Sequence, residues 1–579
     1  MATLHVRTSR GQKYWSIVES RRINGKPRPV ILMYLGKAEA LLKKLQQGIG
    51  EKVRVKSYSH GAVAAMLRVA QQLDVVEIIN QHIKARRADW PDRPLRNNLT
   101  AGVTLLLAAI GRVCLPTSKR GWWDWAKTTT CELLLRTSFS KIDSQHFWDL
   151  MDCLPVEAIE KIELELLEKV QHTFGINGET LFYDTTNFYT FIDTTNGHCD
   201  IAQRGKNKQK RNDLRQVGLA LVVTKQDYIP LLHYTYHGNM NDTKVFQDVI
   251  QKISLRMQAL KMDLNSHTLV FDRGCNSKDN LNLVSTLKLH YVGALTPSHH
   301  VELIHDAEGH FETVNVGDTE LELYRDKRVI WGEERTVVVF ISQRLKDGQL
   351  RGVYQALNKK KKRLKEIQGS LANPNTKARD RKKITETLET LLKGQFMDGL
   401  LSYELTAQGG GRFSLNYTTN SKQLDELENR LGFRILMTDR HAWSSPEIVS
   451  AFYGQSTVEQ AFKNIKNPYH LAVTPGFHWT DQKIKVHYFC CVLGYLLAAL
   501  MWKEARNKTS FPGTLDSLLD SLNNIRLTTL LEITGKRGKP AVKRQLEDMD
   551  EDQRSLLNAL GLENIHEKPL KIKGVGVYS

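Results

Sequence analysis

The sequence predicts an α/β protein, and three patterns carry that prediction. Between residues 176 and 300 the apolar spacing alternates between a two-residue and a 3.6-residue period, which gives strands, a helix and a further strand in turn. A basic hairpin and a long helical stretch precede this region. A mixed β and helical stretch then separates it from a further helical segment near residue 459. At 579 residues, with 41% apolar and 25% charged residues, the chain has room for about three to five domains and is too apolar for wholesale disorder.

In residues 1–56, KYWSIVESRRI and PRPVILMYLG flank Asn24-Gly25, a two-residue turn signal, and predict a β-hairpin over 13–36. Residues 57–175 carry apolar positions at three- and four-residue spacing, as in AVAAMLRVAQQL and VEAIEKIELELLEKVQHTF, and predict a helical domain in which Trp122, Trp123 and Trp125 pack rather than stack on bases. Residues 176–300 open with ETLFYD, a short strand ending in Asp184. DLRQVGLALVV and YIPLLHYTYHG then predict an antiparallel pair, followed by a helix over 242–262 and the strand HTLVFDRG, which ends at Asp272. A strand–helix–strand crossover makes that last strand parallel to a neighbour. This order suits an RNase H-like core, and several other α/β folds accept it too.

Residues 301–435 predict an insertion of mixed β structure with two basic helices, 345–370 and 376–393, joined as a hairpin through GSLANPN. In 436–510, Ser444, Pro446 and Glu447 form a helix-start signal, and the 15-residue apolar run from Tyr488 to Trp502 is a buried core helix. That run is short of the ~20 residues a bilayer span needs, so no membrane partner is expected. Residues 511–579 are expected to form a helical tail.

Charge narrows the partners. Residues 1–56 hold 13 Lys and Arg against three acids, a net +10; residues 204–215 carry +5 and residues 359–383 carry +9. These three stretches exceed the whole-chain excess of +19, so the remainder is slightly acidic. Concentrated positive charge is the footprint of a polyanion, and nucleic acid is the favoured partner. The hairpin and helical domain are expected to bind DNA. Seven cysteines without a CxxC pair argue against a zinc ribbon or a redox dithiol, and the N-terminus lacks the apolar stretch of a secretory signal. A reducing, cytoplasmic, nucleoid-associated setting is expected.

Asp184, Asp272 and Glu459 are the candidate catalytic residues. Two carboxylates at strand ends and one on a helix can hold two hard divalent cations, with ~3.5–4 Å between them, to clamp the attacking and leaving oxygens of a displacement at phosphorus. Without a cation the three would repel. Lys466, two helical turns after Glu459, leaves the same helix face and could hold a phosphate, and Gln455, one turn before, could reach the same region.

Together these residues resemble a family. YDTTN around Asp184, the GNMNDT turn, FDRG around Asp272 and YGQSTVEQAFKNIK around Glu459 resemble DDE transposases of bacterial insertion sequences. They are most similar to the group with a large β-rich insertion and a Tyr-Arg-Glu-Lys signature on the last helix. The resemblance runs from residue 1 to about 505 and takes in YLGK and GKNKQKRNDLRQVGLALVV. It implies an RNase H-like catalytic core with Asp184, Asp272 and Glu459 as ligands of two Mg²⁺ ions, for which Mn²⁺ could substitute. It also implies cut-and-paste transposition, in which hydrolysis frees a 3′-hydroxyl that then attacks a second phosphodiester. The implied partners are double-stranded DNA, as terminal inverted repeats and target, and a second copy of the chain in a synaptic homodimer. Glu459 and Lys466 match the last two members of the signature. Phe452 stands where the Tyr belongs, with Tyr453 beside it, and Gln455 holds the Arg position. Lys206, Lys208, Arg211, Arg215 and Arg273 complete the expected DNA contacts. Competing readings are a HAD-type phosphatase, which would need Asp where Thr186 stands, a nuclease that cuts without joining, and a DNA-binding protein that has lost catalysis on the same scaffold.

Overall fold

A computed structural model describes residues 2–9, 12–23, 26–37, 53–83, 99–140, 142–205, 211–373, 380–474, 476–532, 541–568 and 570–572. The chain divides into two compact units, Met1–Cys153 with Leu500–Ser579, and Leu154–Ala499.

The first unit begins with β1 (Ala2–Ser9), β2 (Gln12–Ile23) and β3 (Lys26–Lys37), an antiparallel sheet in the order β1-β2-β3. The expected hairpin is β2–β3. Its turn residues Asn24 and Gly25 lie outside the described residues, and the flanking pair Ile23 and Lys26 brackets a two-residue connection. The alternating run ATLHVRTS adds β1, from Ala2 opposite Glu19 to Ser9 opposite Gln12. After β4 (Val53–Ser59) come helices Gly61–Gln72, Val75–Gln81 and Ala101–Cys114, the last buried on every face. Trp122 is buried; its Nε1 donates to the Leu107 carbonyl at 3.1 Å and its ring lies 5.2 Å from that of Phe147, the packing role expected of it.

The second unit is built on β5 (Thr180–Thr190), β6 (Arg215–Thr224), β7 (Pro230–His237), β8 (Thr268–Phe271) and β9 (His290–Leu295). They continue into β10 (Glu312–Val316), β11 (Thr319–Ile330) and β12 (Glu333–Ile341). A separate hairpin, β13 (Leu401–Gly409) and β14 (Arg412–Thr419), precedes β15 (Phe433–Thr438). Among the described residues the main sheet has the order β10-β11-β12-β15-β9-β8-β5-β6-β7. β5, β6 and β7 pair antiparallel, while β5–β8 and β8–β9 are parallel. The crossover from β7 to β8 is helix Asp242–Ala259, whose buried Val245, Phe246, Val249, Ile250, Ile253 and Met257 are the stripe that the spacing predicts.

Three elements differ from expectation. β5 does not stop at Asp184 but runs to Thr190, because β6 goes on pairing with it from Asp184 opposite Leu221 to Thr190 opposite Arg215. The strands of 301–341 join the main sheet instead of standing apart, since β15 pairs with β9 on one side and β12 on the other. Between β12 and β15 the basic helices, Gln343–Ala372 and Arg381–Leu392, share a core with β13–β14 through Val353, Leu357, Leu364, Leu388, Phe413 and Leu415. The first helix runs through Gly369 and Ser370 because Leu371 extends its buried stripe.

Helix Asp481–Lys508 is long and apolar enough to cross a membrane, and 94% of its most apolar window is buried in protein. The segment after it returns to the first unit. The expected helical tail holds helices Leu515–Asn523 and Glu551–Ala559 but also β16 (Arg526–Glu532) and β17 (Ala541–Leu546), in a sheet ordered β17-β16-β4. β-rich RLTTLLE finds its partner in β4, from Arg526 opposite Ser59 to Glu532 opposite Val53, a pairing no local pattern could show.

Candidate functional site

Side chains alternate along β5, so Tyr183 and Thr185 share one face and Phe182, Asp184, Thr186 and Phe188 the other. Helix Asp242–Ala259 covers the first face: the Phe246 ring lies 5.2 Å from Tyr183 and 4.8 Å from Phe271 of β8. Helix Ser456–Lys466 covers the second. At its start, a Cβ on Gly454 would stand 2.5 Å from Cζ of Phe182; at its end, Lys466 Nζ donates to Thr186 Oγ1 and lies 5.5 Å from the Phe188 ring centre. Asp184 lies on β5 between these two contacts, and Glu459 lies between them on the helix.

Asp272 comes to the same place by register. β5 and β8 run parallel with Phe182 opposite Val270. Asp184 and Asp272 each follow this last shared pair by two residues. β8 ends at Phe271, so Asp272 is the first residue beyond it and starts a short 3₁₀ turn, Arg273–Cys275. Each carboxylate takes its following backbone N–H: Asp184 Oδ1 accepts from Thr185 at 2.7 Å and Asp272 Oδ1 from Arg273 at 2.8 Å. Because both strands run the same way, the two aspartates leave the last shared pair in the same direction.

The buried Cys275 thiol records the local field. Burial pushes it well up, and Asp242, Asp184 and Asp272 add to the shift. Asp242 was not among the expected site residues. It is the fifth residue of GNMNDT and opens helix Asp242–Ala259, and its Oδ1 accepts a 3.1 Å hydrogen bond from Thr185 Oγ1. The signal for it was the position of an acid at a helix start that follows a strand of the same sheet. Among the described residues, no three His, Cys, Asp or Glu side chains gather into a set that could hold a metal ion. Glu459 is exposed and belongs to the opposing helix rather than to the aspartate pair.

Gln455, Glu459 and Lys466 fall on one border of the helix face buried by Val458, Ala461, Phe462 and Ile465. The Gln455 carbonyl accepts the Glu459 N–H at 3.3 Å. The remaining expected DNA contacts divide. Tyr453 is turned edge-on to Phe340 of β12, ring centres 5.9 Å apart, four strands from β5 in the sheet order. Arg215 donates to the carbonyls of Thr194, Asn196 and Cys199 and so braces the loop after β5. Arg211 forms a two-toothed pair with Asp213, at 2.9 and 2.8 Å, on the surface. Arg273 is exposed beside Asp272. Lys206 and Lys208 lie outside the described residues.

No protein-family model matches the chain, and no curated protein matches it. A solved structure to which it is similar in outline is the cryo-EM structure of a piggyBac transposase synaptic complex with hairpin DNA. The match has a TM-score of 0.37 and 10% identity, and covers 80% of this chain and 79% of that one.

Proposed function

We propose that the chain is a DDE transposase of the insertion-sequence type: an enzyme that cuts double-stranded DNA at the ends of its element by hydrolysis and joins the freed 3′-hydroxyl to a second phosphodiester. The observation that carries this reading is the parallel β5–β8 register, after which Asp184 and Asp272 each follow by two residues, together with Lys466, on the helix of Glu459, bonded to Thr186 of β5. The strand order β7-β6-β5-β8-β9, antiparallel on one side of β5 and parallel on the other, supports an RNase H-like core. Residues 342–432 are then the insertion ahead of the third carboxylate.

The donor set suits Mg²⁺ or Mn²⁺. Asp184, Asp272 and Glu459 offer carboxylate oxygens, the donors a hard cation takes, and would have to draw together to hold it. A divalent pair bound there would supply positive charge for the negative charge developing at phosphorus and would activate the attacking hydroxyl. The chain's own residues do the rest. Lys466, held at Thr186, offers its ammonium to the phosphate next to the scissile bond. The basic 359–383 segment and the N-terminal hairpin hold the duplex through its backbone. In the first step water adds to phosphorus and the 3′-oxygen leaves; in the second that 3′-hydroxyl adds to a new phosphorus and displaces another oxygen. A homodimer that synapses both ends belongs to this reading.

The test is excision of the gene's native flanks from a plasmid, wild type against Asp184→Asn, with DNA binding measured alongside. Excision by wild type alone, with equal binding by both proteins, is the expected result. Equal excision, or none by either, would detach the aspartates from the phenotype and favour a DNA-binding scaffold without catalysis.

A further inference from the structure

The start of helix Asp242–Ala259 is tied to both aspartate-bearing strand ends. On the β5 side, Thr185, the residue after Asp184, donates its hydroxyl to Asp242 Oδ1 at 3.1 Å. Tyr236 of β7 lies across β6 at Gly218, where an added Cβ would run into its ring. On the β8 side, the next helix residue, Thr243, donates to the carbonyl of Gly274 at 3.3 Å, two residues after Asp272. Buried Asn280 clamps this joint from below: its Nδ2 donates to the Thr243 carbonyl at 3.1 Å and to the Cys275 carbonyl at 2.6 Å. Asn241 caps the helix by accepting from the Thr243 N–H, so Asp242 and Thr243 are themselves fixed in direction.

Two strands that diverge after their last shared pair need a separate tie to fix the spacing of the residues beyond it. β5–β8 pairing stops at Phe182 and Val270, two residues short of the aspartates. Beyond that point the bonds through Asp242 and Thr243 bridge the two strand ends on the opposite face of the sheet.

We propose that Asp242 is a positioning residue that, through Thr185 and together with Thr243, sets the separation and direction of Asp184 and Asp272. The inference rests on the proposed two-aspartate site. Asp242 acts from the face away from Glu459.

The experiment uses the full-length protein without DNA and follows Mn²⁺ binding by electron paramagnetic resonance, with thermal unfolding as a folding control. Asp242→Ala and Thr185→Val are each expected to weaken Mn²⁺ binding by about 10-fold, as loss of a ligand-orienting partner does. Thr185→Ser, which keeps the hydroxyl, is expected to bind as wild type does. The double variant is expected to be no weaker than either single one, since both remove one linkage. Asp242→Ala binding Mn²⁺ as wild type does would overturn the proposal. So would loss in Asp242→Ala with none in Thr185→Val, which would make Asp242 a direct ligand, and so would additive losses in the double variant. Asp184→Asn separates the two levels. If it leaves Mn²⁺ binding intact, the site reading itself fails; if it abolishes binding while Asp242→Ala does not, only the positioning role fails.

Discussion

At Glu163 the second unit buries a charge that its neighbours make tolerable. Its carboxylate is 11% exposed and bonded to His233 Nδ1 and to Arg256 Nη1, the latter at 2.8 Å, and both partners are 5% exposed. Burial pushes Glu163 up, but His233 and Arg256 outweigh it and leave its pKa below the usual value. Glu163→Gln strands the Arg256 charge, and a loss of about 3–5 kcal/mol in chemical unfolding is expected. Because the folded pKa is depressed, this stabilisation is complete above the ordinary Glu value of ~4.3 and fades as pH falls through the lower folded one. In the first unit His60 is the opposite kind of group. Fully buried, with Nδ1 2.9 Å from Thr130 Oγ1, it is lowered to about 4 by burial and then by His566. Its contribution is whole above ~6.5 and lost as pH falls toward 4, about 3 kcal/mol in all. Urea midpoints at pH 7 and 4.5 should converge in His60→Asn, whose amide can keep the Thr130 bond without the titration.

At the scale of elements, the approach of helix Ser456–Lys466 to β5 depends on Gly454. An added Cβ would meet Cζ of Phe182 at 2.5 Å and the Ala451 carbonyl at 3.1 Å, and Phe182 is fully buried with nowhere to move. Gly454→Ala is expected to cost about 1–3 kcal/mol through overpacking. It should also lower excision more than its stability loss explains, because it shifts Glu459 and Lys466 together. A partner change of Phe182→Leu should recover part of both, and thermal unfolding of the four proteins of the cycle measures the coupling. The preceding helix, Ser445–Tyr453, needs no such tertiary support at its start. Ser444 and Glu447 form the reciprocal cap, with the Glu447 side chain accepting from Ser444 N–H at 2.7 Å, as their spacing predicts.

For the whole molecule, the charge distribution makes the sharpest prediction. The net +19 is concentrated in three stretches, so binding to duplex DNA should fall steeply with salt, by about 10³–10⁵ between 50 and 200 mM for six to ten phosphate contacts. Replacing Lys359, Lys362 and Arg363 with Gln should reduce the slope of log K against log salt by about one unit for each phosphate released, with little change of sequence preference. Fluorescence anisotropy over a salt series measures it. Arg363 pairs with Glu366 at 2.6 Å, both more than 45% exposed, a surface pair too weak to withhold it from a phosphate.

The features legible in the sequence were local ones. The β2–β3 hairpin, the antiparallel β6–β7 pair, the amphipathic helix from Asp242, the Ser444 cap and the buried Tyr488–Trp502 run each arise from periodicity or turn chemistry within a dozen or so residues. Asp184 and Asp272 stood out for the same reason, as acids next to apolar strands. Tertiary structure decided how far those strands run and what they meet. β5 extends past Asp184 because β6 keeps pairing with it, and β4 waits nearly the whole chain for β16. Asp242 joins the aspartates only because a helix start lands beside Thr185. Tyr453 and Arg215, expected DNA contacts, also meet Phe340 and loop carbonyls that the sequence did not reveal. Side-chain type and spacing set what a residue can do. Which partner it meets depends on hydrogen bonds and packing between segments distant in the chain, and no local pattern encodes those.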